Sequence, residues 1–164
     1  MGNTAEGAKA GLLAGIVYGI LDSVLGVLFL TIFKSEIISV LKSSLPAGSP
    51  ISAASLYDLT LSLAVVAAII GGIIIGLILG LIFSAVYGHL PGSSSTSKGL
   101  VFGVIMWLVL NVLLGLGDLR YGLLYYVLGV TAGLLISLIF GAIMGKLYDR
   151  GMRKLSRNQV TVVN

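Results

Sequence analysis

Two polar side chains sit deep inside long apolar runs, Asp22 and Asn111, and the sequence concentrates its chemistry in them. Asp22 lies near the middle of the run at residues 10 to 33. A carboxylate at the centre of a bilayer costs about 2.5–3.5 kcal/mol on insertion scales, so it is kept for a task or by a partner. The task would be to exchange a proton or hold a cation. The partner would be Asn111, Ser23 or a neighbouring carbonyl, with the acid acting as polar glue between helices. Tyr18 lies four residues before Asp22 and Trp107 four before Asn111, which gives each polar group an aromatic neighbour on its own helix face and predicts a matched aromatic layer.

The rest of the sequence supplies no catalytic set. His89 is the single histidine and there is no cysteine, so nitrogen and sulfur ligands for a metal are lacking. Gly-x-x-x-x-Gly-Lys, His-Glu-x-x-His and Gly-x-Ser-x-Gly motifs do not occur. No span holds a pair of carboxylates. The expectation is a protein that is not an enzyme and takes neither cofactor nor metal. The basic C-terminal segment, without interleaved aromatics, fits lipid contact and excludes nucleic acid as the partner.

These residues must be positioned by membrane helices. Of 164 residues 57% are hydrophobic and only 10% charged, and the mean hydropathy of +1.11 is that of a bilayer protein. Apolar runs at residues 10 to 33, 59 to 88, 99 to 117 and 119 to 148 approach or exceed the roughly 20 residues a helix needs to cross hydrocarbon. The fold class is an all-α integral membrane protein with four transmembrane helices and a short interfacial helix at residues 35 to 45. Ile37, Ile38, Leu41 and Leu45 share one face of that helix.

Charge orients the bundle. If the termini and the loop before Lys98 share a side, that side carries Lys9, Lys98, Lys146, Arg150, Arg153, Lys154 and Arg157 against Glu6 and Asp149. The opposite side is balanced, with Lys34, Lys42 and Arg120 against Glu36, Asp58 and Asp118. The positive-inside rule then predicts a multi-pass protein of the cell membrane with both termini cytoplasmic.

Local signals place the boundaries. Asn3 with Glu6, and Ser55 with Asp58, have capping-box spacing, so the first helix starts near Thr4 and the second near Leu56. Gly71-Gly72 predicts a bend in the second helix, and Gly117-Asp118 predicts a tight turn between the third and fourth.

Small residues recur at every fourth position in two stretches: Gly72, Gly76, Gly80, Ser84 and Gly88, then Gly129, Gly133, Ser137, Gly141 and Gly145. Such rows let membrane helices approach closely. Residues 76 to 90 align with 133 to 147 through a shared Leu-Ile-Phe-x-Ala-x-x-Gly-x-Leu order, and Lys9, Ala10, Ala14, Tyr18 and Asp22 fall on Lys98, Gly99, Gly103, Trp107 and Asn111. The chain therefore reads as one four-helix membrane domain built from two parallel hairpin repeats, related by a pseudo-two-fold axis along the membrane normal. The first repeat covers residues 9 to 90 with an outer insertion at 34 to 56, the second covers 98 to 148, and a basic cytoplasmic tail runs from 149 to 164.

Two roles follow. The glycine rows favour a structural or accessory subunit that packs against itself or another membrane protein. The midplane polar pair favours a small proton- or cation-coupled transporter or channel with its site at Asp22 and Asn111.

Overall fold

A computed structural model describes residues 3 to 162, with side chains up to Arg157; residues 163 and 164 of the basic tail lie outside the described residues. Every described regular element is helical: α1 (Thr4–Ile32), α2 (Lys34–Ser44), α3 (Ala53–Val86), α4 (Ser95–Trp107) and α5 (Leu123–Val162). Past Trp107 the α4 segment continues as a π-helical stretch, Leu108–Leu113, and a 3-10 stretch, Leu114–Tyr121. Four helical segments are long and apolar enough to cross a membrane: Thr4–Ile32, Ala53–Val86, Ser95–Tyr121 and Leu123–Arg157.

The helix ends follow from side chains that satisfy orphan amides. The Asn3 side chain accepts from the Glu6 amide at 3.2 Å and starts α1. The α3 cap differs from the Ser55–Asp58 box expected above: Ser52 Oγ accepts from the Ser55 amide at 3.0 Å, so α3 begins at Ala53. Ser94 and Ser97 cap each other at the start of α4. At 34 residues, α3 is about 50 Å long and runs uninterrupted through Gly71 and Gly72.

The turn before α5 is also displaced. Gly117 and Asp118 lie within the 3-10 stretch, and the chain reverses at Gly122 with φ 112°, a backbone region essentially reserved for glycine.

Packing divides into glycine crossings and aromatic clusters. Helix α1 lies antiparallel to α3, and their backbones meet in the reciprocal pairs Gly7–Gly80, Gly11–Gly76 and Gly15–Gly72. A methyl on any of these six glycines would overlap the opposing carbonyl. Helix α4 crosses α5 in the same manner at Gly99–Gly141, with Gly103 on Ser137 and Gly145 on Ser95. In α1 the crossing uses Gly7, Gly11, Gly15 and Gly19, leaving the neighbouring row free to face α5: Ala10 and Ala14 are buried there, and Tyr18 packs edge-on against Phe140 at 5.7 Å.

Phe83 lies at the centre of the core near the chain termini, with its ring 5.3 Å from Phe102, 5.5 Å from Tyr87 and 5.5 Å from Tyr148. The Asn3 amide donates to Tyr148 Oη at 2.8 Å and ties the start of α1 to α5. At the other end Phe33, Ile37 and Tyr57 form a smaller core, and Tyr57 Oη donates to the Leu30 carbonyl at 2.9 Å. Helix α2 is thereby held against the first turns of α3. The outer face of α3 stays apolar and exposed at Leu63, Val66, Ile70, Ile74 and Ile78, as contact with hydrocarbon requires.

Candidate functional site

A cavity of about 190 Å³ opens between α1, the π/3-10 segment and α5, in the half of the bundle that carries α2. Its polar lining comes from Asp22, Asn111 and Asp118; Tyr18, Phe29, Tyr125 and Tyr126 supply aromatic walls. The expected pair is therefore brought to one space, joined by a second carboxylate from a third element.

Asp22 reaches the cavity because it lies on the α1 row of Ala10, Ala14 and Tyr18, one turn beyond the point where that row is sealed by Phe140. Its side chain is exposed and, among the described residues, hydrogen-bonds to neither Asn111 nor Ser23. Ser23 is buried and donates instead to the Ile20 carbonyl of its own helix at 2.8 Å. Among the described residues, no hydrogen bond joins Asp22, Ser23 and Asn111 to one another.

Asn111 sits in the π-helical stretch, with its Oδ1 pressed against Gly133; a Cβ at that position would overlap it. Gly129, one turn away, faces only the edge of Phe29. The second small-residue row accordingly does two jobs. Ser137, Gly141 and Gly145 take the α4 crossing, while Gly129 and Gly133 give the cavity its α5 wall. Gly88, the last member of the first row, meets nothing.

The change from α to π to 3-10 geometry disturbs the ladder of carbonyl acceptors, and α5 meets the exposed groups. Tyr126 Oη donates to the Val112 carbonyl at 3.0 Å. Trp107 Nε1 donates to the Val130 carbonyl at 2.8 Å, which places it outside the cavity lining. Tyr18 and Trp107 meet α5 at Phe140 and Val130, almost three helical turns apart, and so do not form the expected layer. Phe29, Phe33 and Tyr125 close the α2 end of the cavity through edge-on ring contacts at 5.3 and 5.1 Å.

The sequence marks Asp118 only as part of the turn at Gly117 and does not single out Tyr125. The signal that would have moved them inward is Gly115-x-Gly117, which weakens an α-helix ahead of the acid and admits the tighter 3-10 path.

A family model spans residues 1 to 158 of the chain. The protein belongs to the family of unknown function DUF6789. Comparison with curated proteins and with solved structures found no match. Family membership brings no chemistry with it, which leaves the cavity as the guide to function.

Proposed function

We propose that this protein is a small transporter or channel that takes up a proton or a small cation in the cavity between α1 and α5. One observation carries the proposal: two carboxylates and an amide from three separate helical segments open on a single space, and none of the side chains of Asp22, Asn111 and Asp118 is engaged in a hydrogen bond among the described residues. An acid at membrane depth is costly, and an unbonded Asp22 sharing one cavity with Asn111 and Asp118 fits a site that alternates between empty and occupied. The positive charge around the termini supports a cytoplasmic position for both in a cell-membrane protein, and the cavity then opens in the outer half. The hairpins at residues 9 to 90 and 98 to 148 act as repeats, with the short α2 helix at the outer surface beside the mouth. The protein is not an enzyme and its site needs no cofactor.

The test is reconstitution into liposomes carrying a pH or potential probe. Flux is expected to fall at least tenfold in Asp22→Asn, a nearly isosteric change, and in Asp118→Asn. Flux equal to that of the parent protein in both variants overturns the proposal.

A structural or accessory role is the second reading, and it has less to work with. The rows that favoured it, Gly72 to Ser84 and Ser137 to Gly145, are taken up by helices of the same chain. Gly71 and Gly88, which face open space on α3 and just beyond it, are among the glycines still open to a partner subunit. A stable complex with another membrane protein that survives mild detergent and dissociates on Gly71→Leu would favour it.

A further inference from the structure

We infer that the opposite end of the bundle holds an anionic phospholipid in a groove between α1 and α5. The groove has a volume of about 490 Å³. Its α1 wall is Glu6, Lys9, Ala10 and Leu13, and its α5 wall is Leu147, Arg150, Gly151, Lys154 and Leu155. Each set has the three- and four-residue spacing of a single helix face, so two continuous stripes line the groove. The α5 stripe carries the net positive charge, in Arg150 and Lys154, the α1 stripe begins with the matched Glu6 and Lys9, and both turn apolar further in at Leu13 and Leu147.

The charges are arranged for an anion. Glu6 is already matched by Lys9 at 2.8 Å and rests on Gly151, where a side chain would displace its carboxylate. Arg150 and Lys154 are exposed, form no ion pair among the described residues, and stand one turn apart on the same face. Between them a phosphodiester receives the forked donors of a guanidinium on one side and a mobile ammonium on the other.

The apolar walls decide what kind of anion. Leu13 and Leu147 lie on the membrane-crossing parts of α1 and α5, and Leu13 is half exposed at 49%. A soluble phosphate would fill the basic end and leave this surface uncovered, whereas a phospholipid covers it with an acyl chain while its headgroup meets the cations. Arg153, by contrast, is turned away from the groove and paired with Asp149 at 2.9 Å.

Native mass spectrometry of the full chain in a neutral detergent tests this with phosphatidylglycerol, phosphatidylcholine and glycerol phosphate as probes. The protein is expected to retain phosphatidylglycerol and shed the other two. R150Q/K154Q should reduce retention about ten- to thirtyfold. K146Q/R153Q removes the same charge outside the groove and should leave retention within about twofold of the parent protein. Equal retention of phosphatidylcholine, equal loss in both double variants, or glycerol phosphate binding as tightly as the lipid would each overturn the inference.

Discussion

Adjacent glycines on α3 allow the α1–α3 crossing to be tested with helix propensity held constant. Gly71 faces open space, with nothing within 4 Å of a Cβ built on it. A Cβ on Gly72 would lie 2.7 Å from Gly19 Cα and 2.8 Å from Gly19 N. Ordinary carbon contacts fall at about 3.5–4.0 Å, so one methyl demands a retreat of roughly 1 Å. The obstructing atoms are helix backbone and cannot rotate away. The two backbones must separate, which loosens the neighbouring pairs Gly15–Gly72 and Gly11–Gly76 as well. Overpacking of this kind costs about 1–3 kcal/mol. Gly72→Ala should therefore lower the ratio of folded to unfolded protein about 5- to 150-fold relative to Gly71→Ala. Each variant gains the same helix propensity, so the difference isolates the steric effect. Trp107, the single tryptophan, reports unfolding as SDS is titrated into mild-detergent micelles. Coincident unfolding curves for the two variants, or a more stable Gly72→Ala, would refute the close backbone contact.

Other sites give further tests. Phe83 is fully buried between three other rings, so Phe83→Ala should cost about 3–5 kcal/mol in the same titration, and a loss below about 1 kcal/mol would mean that the ring cluster is not packed. Gly122→Ala forces an L-residue to φ 112° and should cost about 1–3 kcal/mol, whereas Gly117→Ala, in the 3-10 stretch with open space around it, should be near neutral; the reverse order would put the turn at Gly117. Glu36 lies on α2 outside the spans and accepts from Ser35 Oγ at 2.8 Å, which holds its carboxyl below the usual range. Its stabilising effect is present above the unfolded-state value and lost as pH falls through the lowered one, and Ser35→Ala should return the titration, read by carboxyl carbon NMR, towards the ordinary range.

The sequence announces spans more clearly than it announces faces. Apolar runs and the Asn3 cap locate α1 within a residue or two, because length and capping are local properties. Which of two adjacent α1 rows meets α3 is not local. Gly7-Gly11-Gly15-Gly19 and Ala10-Ala14-Tyr18-Asp22 are both small enough at their first positions to cross a helix. The choice is made by the partner: α3 offers glycine at 72, 76 and 80, and only an all-glycine row lets both carbonyl ladders close. Asp22 and Asn111 could be paired on paper through the repeat alignment. Asp118 could not, because its inward placement depends on a 3-10 stretch that follows a π-helical one, steadied at Val112 by Tyr126 from another helix.

The same contrast explains why the bundle has a cavity at all. Along α5 the small residues continue at full four-residue spacing from Gly145 to Gly129. Along α4 they do not: after Gly99 and Gly103 the next positions on that row are Trp107 and Asn111. As far as Ser137 the two helices can touch backbone to backbone, and beyond it Trp107 and Asn111 must be accommodated between them. The α4 segment yields by changing its helical repeat, Asn111 comes to rest on Gly133, and Gly129 is left facing Phe29 of α1 beside the cavity. On the α1–α3 side no such interruption occurs, since the α1 row stays glycine through Gly19 and the crossing extends to Ala68. One hairpin is therefore closed along its length and the other opens halfway. The opening falls at the level where Asp22, Asn111 and Asp118 stand, so replacing Trp107 and Asn111 together by glycine should extend the α4–α5 crossing, shrink the cavity and abolish flux while leaving the protein folded.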